Sequence, residues 1–157
     1  MVDERSADGG PTTAGTNEKT TGGTPSGLRQ GAIAALRYGA MLFGALVIVQ
    51  IYLAGSGIFA ATGPVKLASS LDPHRVLGNV LAVVALLVLI AAIVARPGRR
   101  SLITAIVMFV LTGIEGLVAG WGSTSPYLGA LHPVIAVVIL GLAVALPLWT
   151  PKRLPSV

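Results

Sequence analysis

Four apolar runs, each about as long as a bilayer is thick, leave this chain few ways to fold. They cover about Tyr38–Ala60, Pro73–Ala95, Ser101–Gly120 and Pro126–Trp149. A hydrocarbon core ~30 Å thick needs about 20 apolar residues at about 1.5 Å each. Charge is scarce and kept out of these runs: 11% of the 157 residues are charged, against about 25% in a soluble domain. The expected fold class is all-α, a polytopic membrane protein with a four-transmembrane-helix up-down bundle. The chain has no cysteine, which excludes a disulfide-stapled module and a zinc–thiolate site. Its net charge of +5 does not call for nucleic acid as a partner, because the basic residues cluster at the ends of the apolar runs.

Residues 1–30 are built from Gly, Thr, Ser, Ala and scattered charges without an aromatic. Such a stretch buries too little apolar area to offset the entropy of ordering, so a disordered cytoplasmic tail is expected there. It lacks the basic start and apolar segment of a secretory signal. Residues 31–157 then form the transmembrane domain. Asp72-Pro73 and Ser125-Pro126 read as N-caps followed by proline at the first helical position, and Arg96-Pro97-Gly98-Arg99-Arg100 reads as a tight charged turn. Lysine and arginine counting places Arg29, Arg37, Arg96, Arg99, Arg100, Lys152 and Arg153 on one side and Lys66 and Arg75 on the other. The expected location is the cell membrane, multi-pass, with both termini cytoplasmic. Short loops make the second and fourth spans diagonal neighbours. The small-residue pairs Ala40…Gly44, Gly116…Gly120 and Gly141…Ala145 are expected to bring backbones together. Trp121 and Trp149 fall at span ends as interfacial anchors, a role open also to Tyr38, Tyr52 and Tyr127.

Polar side chains within the spans are few, and each is costly enough there to be a functional candidate. They are Gln50, His74, Asn79, Glu115 and His132. Counting inward at about 1.5 Å per residue puts Glu115 about 8 Å and Gln50 about 15 Å from the outer surface. All five belong to the outer half of the bundle, while the inner half is nearly pure Ala, Val, Leu and Ile. His74 and His132 are each followed four residues later, on the same helical face, by a small residue, Gly78 and Ala136. Two imidazoles on diagonal helices above small residues suit the axial ligation of a haem b iron, and Arg75 suits a propionate. A two-histidine, one-carboxylate metal site with Glu115 would use the same side chains. Glu115 shares a face with Thr104, Met108 and Thr112 that should point into the bundle. There it can act in a hydrogen-bond network, as ion-pair partner of a histidine, or in proton handling near a quinone. Gln50 and Asn79 read as clamp residues beside it. A glycine-rich phosphate loop, a nucleophile elbow and a paired-carboxylate set are all missing, so phosphoryl transfer, acyl transfer and glycoside chemistry lack their parts.

The run Asp-Pro-His74-Arg-x-Leu-Gly78, with Leu-His132-Pro-Val and Gln50-x-x-Leu-Ala-Gly55, resembles a family of small actinobacterial four-helix membrane proteins of unknown function, over about Leu36 to Trp149. The positions of His74 and His132 also resemble one half-bundle of haem A synthase, a four-helix unit with histidines on its second and fourth helices. That resemblance implies haem binding.

Two functional expectations follow. One is a small b-type haem protein for electron transfer or redox sensing, with His74 and His132 on the iron and Glu115 and Gln50 beside it or facing a quinone. The other is a non-catalytic accessory subunit of a larger membrane complex, in which the same residues form an internal polar clasp. A proton-coupled transporter fits less well, because the inner half offers no polar route.

Overall fold

The computed structural model describes residues 26–61, 67–121 and 125–152. It contains α1 (Ser26–Ala60), a single turn α2 (Leu67–Ser70), α3 (Asp72–Ala95), α4 (Arg99–Trp121) and α5 (Pro126–Trp149). The four long helices are each long and apolar enough to cross a membrane, and the fold is an all-α bundle of the polytopic membrane class. Around it the order is α1, α3, α4, α5, so that α3 and α5 lie on one diagonal and α1 and α4 on the other. The diagonal placement of the second and fourth spans is as expected.

Large apolar side chains cover the outside, among them Phe59 (82% exposed), Leu148 (76%) and Ile48 (59%). Helices apolar on every face need an apolar solvent, and here that is a lipid bilayer. The interior is assembled from smaller pieces: Ala40, Ala85, Ala92, Ala105 and Ala143 interleave with Phe43, Val88, Met108 and Leu146. This core fills only one half of the bundle. It stops at Val47 on α1, Leu81 on α3, Met108 on α4 and Ile139 on α5. Beyond that level Val118 is the one buried hydrophobic side chain among the described residues.

Several boundaries differ from expectation. Helix α1 begins at Ser26, inside the segment assigned to the tail, and its 35 residues run about 50 Å at about 1.5 Å each, longer than a ~30 Å hydrocarbon layer. Nothing in the Gly-Leu-Arg-Gln sequence forbids helix, and packing supplies what composition did not: Ala32 and Ile33 are buried against Ala95. Residues 1–25, Lys66 and Arg153 lie outside the described residues. At α3 the N-cap is Leu71 and not Asp72, which sits in the first turn with no side-chain cap bond and pairs instead with Arg75 at 3.1 Å. Ser125 does hold the N-cap position of α5, but its side chain makes no cap bond. The α3–α4 turn is tight as expected, with Arg96 and Gly98 at positive φ (47° and 112°).

Of the small-residue pairs, only the first brings backbones together. Gly44 faces α5, where an added Cβ would come within 3.4 Å of the Ala143 Cβ, whereas Gly116, Gly120 and Gly141 face open space. Sequence spacing cannot tell an inward small pair from an outward one when every helix face is apolar.

A polar cluster at the histidine end as candidate functional site

Four of the five polar candidates meet at the end of the bundle that lacks the core. Each comes from a different helix: Gln50 from α1, His74 from α3, Glu115 from α4 and His132 from α5. The rings of His74 and His132 stand edge to face, with centroids 5.7 Å apart and planes at 75°. Helix α5 runs unbroken from Pro126 through Pro133, so His132 lies nearly two turns inside it. Proline at position 133 frees the Gly129 carbonyl from its helical donor without ending the helix. His74 is the third residue of α3, in its first turn, and the helix entry is set by Pro73.

Each histidine has its Nδ1 against an oxygen. His74 Nδ1 is 3.1 Å from the Gln50 backbone carbonyl, and a carbonyl only accepts, so Nδ1 carries the proton and Nε2 the lone pair. The Gln50 amide answers on the other side: its Nε2 donates to the His74 carbonyl at 2.9 Å and approaches His74 Nε2 at 3.4 Å. His132 Nδ1 lies 3.1 Å from Glu115 Oε1. That distance is within ion-pair range, yet the alignment does not make a hydrogen bond, and His132 Nδ1, Glu115 Oε2 and Gln50 Oε1 are buried without hydrogen-bond partners. Three such atoms in one cluster are costly, since each unsatisfied buried polar group forfeits about 1–3 kcal/mol.

The other candidates are placed differently. Asn79 is exposed on the outside of the bundle, so it is no clamp within it. Gly78 faces the cluster, where an added Cβ would stand 3.3 Å from the Gln50 amide nitrogen. Ala136 is half-buried on α5. Arg75 is at the same end, bonded to Asp72 Oδ1. The face of Glu115 does point inward, with Thr104 and Met108 buried, although Thr104 and Thr112 donate to carbonyls of their own helix, Arg100 and Met108. Among the described residues no group of three or more His, Asp or Glu side chains is gathered to hold a metal ion. Two histidines and Glu115 therefore do not form a facial metal site, because the carboxylate lies against His132 Nδ1.

Arg37 is the polar residue whose role sequence reasoning missed. At the opposite end its Nη1 donates to the carbonyls of Pro147 and Thr150, both at 2.6 Å. Ser101 donates to the Trp149 carbonyl at 3.2 Å, Gln30 to that of Lys152 at 3.1 Å, and the Arg100 guanidinium lies 3.7 Å over the Trp149 ring. A helix leaves its last carbonyls without partners, and cationic donors suit that negative end. The only sequence signal was an arginine one residue ahead of the first apolar run.

Fold and cluster together define a small multi-pass helical membrane protein with one polar cluster drawn from all four spans. A family described as "Family of unknown function (DUF6220)" matches residues 50–119, less than half of the chain. The matched stretch opens on Gln50, contains His74 and Glu115, and ends before His132. No curated protein and no solved structure matches the chain.

Proposed function

We propose that the protein is a small b-type haem protein of the cell membrane, with His74 and His132 as axial ligands, serving electron transfer or redox sensing. The observation that carries this reading is the state of the two imidazoles. Both have Nδ1 turned to an oxygen, a backbone carbonyl for His74 and the Glu115 carboxyl for His132. His74 makes the bond that metal-bound histidines almost always make, and His132 stands 3.1 Å from the group that could accept one. For His74 the bond to the Gln50 carbonyl leaves Nε2 as the basic nitrogen. The two rings are close enough to border one bound group, with centroids 5.7 Å apart. Two protein ligands are too few for most metal ions but suffice for haem, whose porphyrin supplies the other four. The half of the bundle around them, where the side-chain core stops, suits a flat apolar cofactor.

Bound haem would supply one-electron chemistry at its iron. The chain's own residues do the rest. His74 and Gln50 lock each other's orientation through their two backbone bonds. Glu115 stands 3.1 Å from His132 Nδ1, placed to orient that ring. Gln50 Nε2, at a long 3.4 Å from His74 Nε2, and Gly78 beside it would border the bound group on one side, with Ala136 on the helix of His132. Arg75 stands at the mouth for a propionate. Both termini and the basic end lie in the cytoplasm, by the excess of Lys and Arg there, which puts the haem near the outer leaflet, within reach of a quinone or of a partner complex.

The test is an absorption spectrum of the detergent-purified protein, oxidised and dithionite-reduced, after expression with haem supplied. A low-spin b-type spectrum is expected, lost in both His74→Ala and His132→Ala while helicity by circular dichroism is retained. A folded, colourless wild-type protein would overturn the reading. The accessory-subunit reading, which rests on the Gln50–His74 bonds as an interhelical clasp, would then take its place.

A further inference from the structure

The basic half carries a second feature that the histidine cluster does not use: a groove of about 510 Å³ between α1 and α5, open to the membrane side. Its walls are two helical stripes, Arg37, Met41 and Ile48 on α1 and Leu140, Val144 and Leu148 on α5, spaced near three, four or seven residues apart so that each stripe shares a face. Its floor is low because Ala40, Gly44 and Ala143 line it, where α1 and α5 approach until an added Cβ on Gly44 would touch Ala143. The lining is apolar along its whole length except at one end, where Arg37 stands.

That end is also where the charge is. Among the described residues Arg29, Arg37, Arg96, Arg99, Arg100 and Lys152 all fall at the basic end, and the two acidic residues, Asp72 and Glu115, fall at the other. The Lys152 backbone is tied to α1 by Gln30, seven residues ahead of Arg37 at the basic end of the same helix. An apolar channel along the helix axes, opening at an end where every charged side chain among the described residues is basic, matches an amphiphile with one anionic head. We propose that the α1–α5 groove holds an acyl chain of an anionic membrane phospholipid, with its headgroup beneath Lys152 and the arginines. Cationic residues beside an anionic headgroup hold it electrostatically, and the chain fills surface that α1 and α5 leave open.

Native mass spectrometry of the full chain, released from detergent with equal amounts of phosphatidylglycerol and phosphatidylcholine, reads this out. Phosphatidylglycerol should be retained at least tenfold better than phosphatidylcholine. Ala45→Phe, placed on the α1 wall where Ala45 is exposed, should cut that retention at least tenfold. Val144→Trp does the same from the opposite wall should the first variant fail to fold. Lys152→Gln should lose about fivefold, the weight of one basic residue near an anionic surface. Equal retention of the two lipids overturns the proposal, as does retention that responds to Lys152→Gln but to neither wall variant. A dimer that buries the groove against a second copy overturns it as well.

Discussion

The two halves of this bundle solve the same problem in opposite ways. Both must satisfy polar groups in a medium that offers almost no water. At the basic end the polar groups are the last carbonyls of α5, and each of Leu146, Pro147, Trp149 and Thr150 receives a donor, from Thr150, Arg37, Ser101 and Arg37 again. Those bonds sit on a close-packed core that runs from Leu36 to Val47 on α1 and from Leu81 to Ala92 on α3. At the histidine end four polar side chains converge where the core has stopped, and three of their atoms find no hydrogen bond. At the basic end Arg29 Nε alone among the described residues is left so, and a chain that satisfies one end to that degree has the means to close the other. Where local polar satisfaction is given up, function is the usual reason.

The sharpest way to test that contrast is to damage the satisfied end. Arg37→Met keeps an apolar stem of similar length but removes the donor to two carbonyls. A hydrogen bond to a charged group contributes about 1.5–3 kcal/mol, and two bonds share one nitrogen here, so a loss of about 2–4 kcal/mol of stability is expected. Unfolding of the purified protein in mild detergent, followed by circular dichroism as denaturant is added, would measure it. An unchanged midpoint would mean that the α5 terminus is held by packing alone. The same change should leave the haem spectrum expected under the proposed function intact in the folded fraction, because Arg37 and the histidines occupy opposite ends.

At the other end Glu115→Gln sharpens the comparison. The amide keeps the size of the side chain and its place against His132 Nδ1 but removes the titratable carboxyl. If the proposed haem is bound, partners that orient a metal-bound histidine are typically worth about 10–100-fold in metal affinity, so haem retention should fall by about that factor, with a shift in reduction potential, while stability changes little. Haem titration of the purified variant and a spectroscopic redox titration are the measurements. If the variant binds haem as tightly as wild type but unfolds more easily, Glu115 is a strut between α4 and α5 and has no part in positioning a ligand.

How much of this was legible beforehand depends on what carried the signal. The four spans came from run length, which depends on the bilayer and not on tertiary contacts. The second to fourth span ends matched to within two residues because Asp72-Pro73, Arg96–Arg100 and Ser125-Pro126 punctuate them. The start of α1 did not, since its first turns are held by Ala32, Ile33 and Ala95 packing together, a contact across more than 60 positions. Gln50, His74, Glu115 and His132 were conspicuous as rare polar residues in apolar runs, and they do meet. Asn79 was equally conspicuous, yet on helices apolar all round no periodicity says which way a side chain points. Arg37 was hidden by its position at the end of a run, where arginines are ordinarily explained by the membrane surface.

The smallest expected effect comes from a matched pair of glycines, one in each half. Gly39 lies on α1 in the packed half, and an added Cβ would come within 3.1 Å of Val88 Cγ2, whose side chain is itself buried in the core. Gly116 lies on α4 in the histidine half, with nothing within 4 Å of the same atom. Leucine is a far better helix former than glycine, by about 0.5–1 kcal/mol, and that gain is common to both sites. At position 39 it is opposed by overpacking, which costs about 1–3 kcal/mol where neighbours cannot move. At position 116 the side chain extends into lipid, where an apolar group is welcome. Gly39→Leu should therefore lower stability and Gly116→Leu should leave it level or raise it by under about 1 kcal/mol, in the same detergent unfolding assay. Equal destabilisation by both would mean that α4 is covered at Gly116, by a second copy or by a partner subunit, and that the histidine half is less open than it stands in the monomer.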